Sequence, residues 1–496
     1  MNPTSHLQQF NTTPPYAMAV LQSLPVEVLD RVIGFIHPEV DWDLVKRTKS
    51  DIRSLSTARL VCRQWNSLAT AHLFRTIYLV HDAEEHFQTW NNMLDSNSVK
   101  NAARRVIFNS APDEDCLDQT MRDWSESEHP SFTAAISRLN EIKNVQSVEL
   151  RFSDHCLGAE QTDRFWFDDV EEIGHRKNTL IVVFEAIREY NAQRSAANRM
   201  ASLRIENLQN LPLPEFTTSE LFKTVTETLT TVELQIAEEC REEGSDNDVY
   251  CIERQTFEPY LLTHWLTPLS DHLTTLTLYF NECWGVLPGY FDGEGLQFKT
   301  LKTLNLGNFV IAHHGQFNWV LAQTTLETLR LDRCYIATHL YFSERGQSEQ
   351  WDVRKHDWVE IDPTTYGFPE DRGVAYTFSG TWETVFENLR KSLVKLRHFG
   401  FHSKADNTYS SLSFRSLGSK ETRLSNYRYV AFDESVMALW ITPKLSEGGI
   451  NFGYKEYINP AKDYYDGDSR AFKELLSAVR TRKLEGALVD CLLACK

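Results

Sequence analysis

Residues 21–36 read LQSLPVEVLDRVIGFI. Leu24, Val28, Leu29, Val32, Ile33 and Ile36 recur at steps of three and four, which predicts a helix with a broad apolar face. Ser23 can cap it, Pro25 suits its first turn, and Glu27 lies at the positive end of the helix dipole. His37-Pro38 ends it, because the residue before a proline avoids the α region. A polar stretch, 39–54, follows. The segment 55–79 then puts Ala58, Val61, Cys62, Trp65 and Leu68 on one helical face, and Thr76-Ile77-Tyr78-Leu79 turns to β character. Residues 1–20 carry no such pattern and are expected to be a disordered tail.

Beyond residue 80 the apolar positions follow another rule. Leu326, Leu329, Leu331, Cys334 and Ile336 fit L-x-x-L-x-L-x-x-N/C-x-L throughout, the template of leucine-rich repeats. Leu301, Leu304, Leu306 and Ile311 fit it with Phe309 at the Asn/Cys site. Leu273, Leu276, Leu278 and Asn281 fit it with Cys283 last. These copies start 28 and 25 residues apart, within the roughly 20–29-residue period of such repeats. Half-copies occur at 200–205 and 229–234, earlier strands are expected at 103–108 and 145–150, and a later one at 393–401. Helices are expected at 180–190, 217–228, 317–322 and 382–389.

The period breaks between 229 and 273 and between 326 and 393, so insertions are expected. They are assigned to 110–130, 238–250 and 341–380, the last punctuated by Gly346, Pro363, Gly367, Pro369 and Gly373. Residues 403–426 read as a loop, 427–432 and 437–441 as strands, and 471–482 as a helix covering the end of the array. The fold class is α/β. Its expected architecture is a small N-terminal three-helix module (21–79) followed by an irregular leucine-rich-repeat solenoid (80–496). The alternative is an α/β protein with amphipathic strands and no regular solenoid.

The order of residues in the N-terminal segment adds to its periodicity. Leu24-Pro25-x-Glu27-Val28-Leu29, then Leu60-Val61-Cys62-Arg63-x-Trp65-x-x-Leu68, resembles an F-box. Ala71-His72-Leu73-Phe74-Arg75-Thr76-Ile77 looks like the form common in fungal F-box proteins. The resemblance covers about residues 21–79. The gap 39–54 is longer and more polar than a compact F-box carries. The resemblance implies a three-helix module that docks the Skp-type adaptor of an SCF (cullin–RING) ubiquitin ligase. Leu24, Pro25, Val28, Leu29, Ile33, Leu60, Val61, Cys62, Trp65 and Leu68 would form its core and adaptor surface. Trp65 suits a plain core position and an interface hot spot equally.

Composition narrows the partners. The chain has 496 residues, 51 Lys plus Arg against 69 Asp plus Glu, and a formal charge of −18. That balance disfavours nucleic acid, whose binding draws on cations at phosphates, and anionic membrane surfaces. No apolar run approaches the roughly 18 residues of a membrane span. No secretory leader pattern is visible, and the nine cysteines read as reduced thiols. The last residues, Cys491-Leu492-Leu493-Ala494-Cys495-Lys496, do not fit prenylation, which needs cysteine fourth from the end. Cytoplasm or nucleus is the expected compartment.

Candidate chemistry is sparse. There is no Gly-x-x-x-x-Gly-Lys phosphate loop, no Gly-x-Gly-x-x-Gly after a strand and no Gly-x-Ser-x-Gly elbow. His313-His314 lacks the partners of a zinc motif and reads as surface histidines. Asp168-Asp169 with Glu171-Glu172 reads as a solvated acidic helix start. No catalytic, cofactor or metal residue is assigned.

The expected function is therefore non-catalytic: a substrate receptor whose F-box holds the adaptor and whose repeat domain holds a protein target. The alternatives are a leucine-rich-repeat interaction scaffold outside ubiquitin ligation and an enzyme with a spatially assembled site. The fifth and seventh template positions alternate away from the core and would form a concave, polar target surface. They are Glu149 and Arg151, Arg204 and Glu206, Glu233 and Gln235, Thr277 and Tyr279, Asn305 and Gly307, and Arg330 and Asp332.

Overall fold

The computed structural model describes residues 24–36, 49–81, 84–111, 130–154, 156–159, 171–239, 251–342, 347–363, 373–403, 414, 422–433, 436–438, 441–446, 449–456 and 460–494. The expected tail, 1–20, lies outside them, as do most of 39–54, of 110–130 and of 238–250.

Helices α1 (Val26–Ile36), α2 (Lys49–Ala58) and α3 (Arg63–Leu73) come first among the described residues. They enclose Ile33, Leu55, Ala58, Ala69 and Leu73, with Trp65, Leu68 and Phe74 packed against that group. Asp30 of α1 meets His72 Nε2 of α3 at 2.9 Å.

The rest is built on one large sheet, with a separate antiparallel pair, Ile441–Ser446 and Gly449–Glu456, near the C-terminus. Its parallel series is β1 (Thr76–Val80), β2 (Arg105–Asn109), β3 (Ser147–Arg151), β4 (Ser202–Gln209), β5 (Thr231–Ala237), β6 (Thr275–Trp284), β7 (Thr303–Ile311) and β8 (Thr328–Asp332). The register follows the hydrophobic pattern. Ile77, Val106, Val148, Leu203, Val232, Leu276, Leu304 and Leu329 stand side by side across all eight strands. Two residues on, Leu79, Phe108, Leu150, Ile205, Leu234, Leu278, Leu306 and Leu331 do the same. Every member of both rows is buried. A side-chain period of two fixes this register, because a slip of one residue would put each row in the opposite face.

Helices cover the apolar face. They include α4 (Ile173–Ala192), α5 (Ile252–Tyr260), α6 (Trp382–Ser392) and the terminal α7 (Tyr465–Ala494). Leu180, Val183, Phe184 and Ile187 of α4, Trp382, Phe386 and Leu389 of α6, and Phe472 and Leu475 of α7 join one continuous core with the strands.

The expected solenoid is not what forms. Strands β1 to β8 begin at residues 76, 105, 147, 202, 231, 275, 303 and 328, so no unit of constant length repeats. The sheet also forks, whereas a solenoid stacks its units in one line. The template 326–336 divides at Arg333, whose φ is +50°, into β8 and β9 (Tyr335–Phe342). Strand β7 pairs with β8 through Thr303–Gly307 and with β9 through Val310 and Ile311.

From β8 the sheet continues to β12 (His398–His402). From β9 it continues to β13 (Tyr429–Asp433) and, antiparallel, to β11 (Val374–Thr377) and then β10 (Val359–Ile361). Strand β14 (Val436–Ala438) pairs antiparallel with β13. The supposed insertion 341–380 thus supplies two strands of the sheet. The architecture is α/β on a mostly parallel, branched sheet. Three short helices around a few apolar residues are a generic packing, so the fold does not show a three-helix F-box.

Candidate functional site

Helix α1 carries two apolar stripes. Leu29 and Ile33 point inward and are fully buried. Val28, Val32 and Phe35, at steps of four and three, form a neighbouring stripe that faces solvent, with Phe35 83% exposed. Val26 on the same helix, and Leu60 and Val61 in the turn after α2, are exposed as well, Leu60 to 85%. A helix that served only its own core would need one stripe. An exposed apolar stripe on a helix is a candidate docking face.

The ten residues expected at the adaptor surface divide accordingly. Ile33 belongs to the module core, Leu29 is fully buried, and Trp65 and Leu68 are half-buried against that core. Leu24 and Cys62 are half-buried, while Pro25, Val28, Leu60 and Val61 are exposed. Phe35 was absent from the expected set although it lies one helical turn beyond Val32. Its position in the stripe was the available signal.

The polar positions on the other face of the sheet do stand together, but not as an open surface. Glu149, Arg204, Glu233, Thr277, Asn305 and Arg330 occupy one registered row across β3 to β8. Arg151 pairs with Glu206, and beyond the register shift between β4 and β5 Gln235 aligns with Tyr279 and, through Gly307, with Asp332. Glu149, Arg151, Glu206, Gln235, Thr277, Tyr279, Asn305 and Asp332 are all buried, contrary to the expected concave surface. Arg204, Glu233 and Arg330 are half-buried.

Burial of the charged members is offset because they pair with one another. Glu149 is bound by Arg105 and Arg151. Arg151 reaches Glu206 at 3.4 Å, and Arg204 lies 3.2 Å from Glu206 and 3.4 Å from Glu233. Three arginines thus face three glutamates. Burial alone would push the Glu149 carboxyl up, but Arg151, Arg105 and Arg204 outweigh it and hold it below the usual carboxylate range. Further along, Asn305 donates to Thr277 at 2.9 Å, Tyr279 donates to Asp332 at 3.2 Å, and His402 meets Asp332 at 2.9 Å. Phe414 lies over this face, 4.3 Å from the Arg204 guanidinium and 5.8 Å from the Tyr279 ring.

Inside β4 and β7 the chain bulges at a residue the template does not specify. Asn207 and Asn308 both adopt φ of +59° at the eighth position, where the register shifts. Asn207 donates to Phe152 O at 3.0 Å and Asn308 to Phe280 O at 2.6 Å, tying each strand to the chain beside it. At the ninth position Cys334 contacts a backbone carbonyl, Leu306 O, at 3.5 Å.

Of the histidine pair, His314 is exposed but His313 is buried, contrary to the surface reading of both. Glu171 begins no solvated acidic helix start: it is buried and paired with Arg176 at 2.9 Å. Among the described residues no helix is long and apolar enough to cross a membrane. No known protein-family model matches the chain, and no curated protein matches it significantly.

Proposed function

We propose that the chain is the substrate-recognition subunit of an SCF-type cullin–RING ubiquitin ligase, acting in the cytoplasm or nucleus. Its N-terminal helices would dock the Skp-type adaptor, and the sheet domain would hold a protein target. The observation that carries this reading is the second apolar stripe of α1, exposed on the segment whose residue order resembles an F-box. Burying a Val or Phe side chain in a partner groove contributes roughly 1.5–3 kcal/mol each.

The receptor would make and break no covalent bond. It would raise the concentration of its target near a charged conjugating enzyme, so that proximity accelerates transfer. For the target, the least buried members of the polar face are Glu233 and Arg330, since Arg204 is ion-paired and lies under Phe414.

The test is a pull-down of the full chain with purified adaptor, followed by addition of cullin. Retention by wild type and loss in a Val28→Asp/Phe35→Asp double variant supports the reading. Failure of wild type to bind the adaptor overturns it. Adaptor binding without cullin recruitment would assign the chain to interaction outside ubiquitin ligation.

A further inference from the structure

At the end of β7 the chain passes through Ala312 to His313, whose side chain is 3% exposed. The turn before β10 brings His356 and Asp357 against it. Asp357 Oδ2 lies 3.4 Å from His313 Nδ1 and 3.4 Å from His356 Nε2. One candidate ligand atom from each of the three residues falls within 4.8 Å of the others. Both ion-pair contacts are longer than a normal hydrogen bond, so the buried Nδ1 of His313 is held only by a long contact to Asp357. A buried polar group so weakly held costs free energy.

The surroundings hold these groups in place. Asp357 accepts the backbone N–H of His314 at 3.0 Å. Gln316 accepts the N–H of Ala312 at 2.6 Å and donates to Phe291 O at 3.0 Å, which fixes the chain on either side of His313. Arg354, just before His356, stacks on Tyr290 at 3.9 Å. His313 and His356 open onto a cleft of about 560 Å³ that Asp292 and Glu294 also line.

We propose that His313, His356 and Asp357 bind a divalent first-row transition metal ion, with zinc the best match. Two imidazoles and a carboxylate are suitable ligands for zinc. With bonds of about 2.0–2.1 Å, ligand atoms at the corners of a tetrahedron stand about 3.3–3.4 Å apart. The two distances to Asp357 Oδ2 agree with that edge. An octahedral face of two histidines and a carboxylate, as in non-haem iron sites, would need edges of about 3 Å.

The two rings now lie stacked, with centroids 4.1 Å apart. Binding turns the exposed His356 ring out of the stack, so that its lone pair and that of His313 converge. Three protein ligands leave a fourth position facing the cleft, the arrangement that lets zinc take water or an anionic group. The ion would also pin the turn before β10 to the end of β7.

The experiment uses the full chain, stripped with chelator and titrated with Zn²⁺ against a chromophoric competitor. Co²⁺ serves as a spectroscopic probe, because tetrahedral coordination gives intense visible bands. Wild type is expected to bind one ion more tightly than His313→Ala, His356→Ala and Asp357→Asn by at least about tenfold. His314→Ala, which alters the exposed neighbour, is expected to match wild type. Zinc should raise the melting temperature of wild type and His314→Ala but not of His356→Ala, whose exposed position makes folding independent of the ring. Equal affinity in wild type and both histidine variants, or no binding by wild type, overturns the proposal.

Discussion

Arg428 Nε lies 2.7 Å from Asp468 Oδ2, and neither side chain touches water. This ion pair joins the residue just before β13 to α7. Arg428 also donates to Ser425 O at 2.9 Å and Ala461 O at 2.7 Å. Asp468 accepts the Tyr429 hydroxyl at 2.9 Å and the Glu383 N–H of α6 at 2.8 Å. Two fully buried charges are kept by complete hydrogen bonding, and neither can lose the other cheaply.

Asp468→Ala should therefore cost roughly 3–5 kcal/mol, because it leaves the guanidinium buried without its counter-charge. The paired replacement Arg428→Met/Asp468→Leu should cost less than the single change. Urea unfolding of the three variants measures this. A single-variant loss below about 1 kcal/mol would show that the pair does not hold α7 to the sheet.

Gly307 stands where the Tyr279 ring crosses β7. A Cβ at Gly307 would fall 1.9 Å from Tyr279 Cδ2. The ring cannot withdraw freely, since its hydroxyl donates to Asp332 and accepts from Arg333 Nε at 2.9 Å. Gly307→Ala should destabilise by about 1–3 kcal/mol. Adding Tyr279→Ala should make the Gly307 change milder, which a double-mutant cycle on urea midpoints would reveal.

Glu258 of α5 gives a pH signature. Its Oε1 accepts the Gly285 N–H at 3.1 Å. Burial pushes the carboxyl up to about 8, only partly offset by that bond. The folded protein therefore keeps a proton that the unfolded chain releases near pH 4.3. Stability from this group is complete below about pH 4.3 and is lost as pH rises towards 8. Glu239, pushed up to about 7 chiefly by burial, acts in the same direction. Glu258→Gln should be more stable than wild type at pH 8.5 and should flatten the decline, with the two curves converging near pH 4–5. Parallel curves in chemical denaturation would refute the assignment.

Neighbouring positions on α1 should separate by role. Leu29→Ala removes a fully buried side chain and should cost about 2–5 kcal/mol in module stability. Phe35→Ala removes a solvent-exposed one and should change stability by less than about 0.5 kcal/mol. If α1 docks a partner as proposed, Phe35→Ala should nevertheless weaken adaptor retention. Equal stability losses at the two positions would contradict the division of the two stripes.

The sequence by itself determined the apolar side of this protein. Alternation at Leu276 and Leu278, or Leu304 and Leu306, names strands and core-facing residues, because side chains on a strand alternate with period two. Steps of three and four named α1 and much of α4 and α6.

Tertiary structure decided the rest. Alternation says that Glu149 and Tyr279 point away from the apolar core. It cannot say that the opposite face is covered, since Phe414, which lies over Arg204 and Tyr279, is distant from both in sequence. Nor could the template show that its copy at 326–336 divides at Arg333 and sends the sheet in two directions. His313 lacked visible partners for the same reason. Asp357 reaches the neighbouring His314 N–H across 43 residues of chain. Periodicity reports only which way a side chain points, and long-range contacts decide what it meets there.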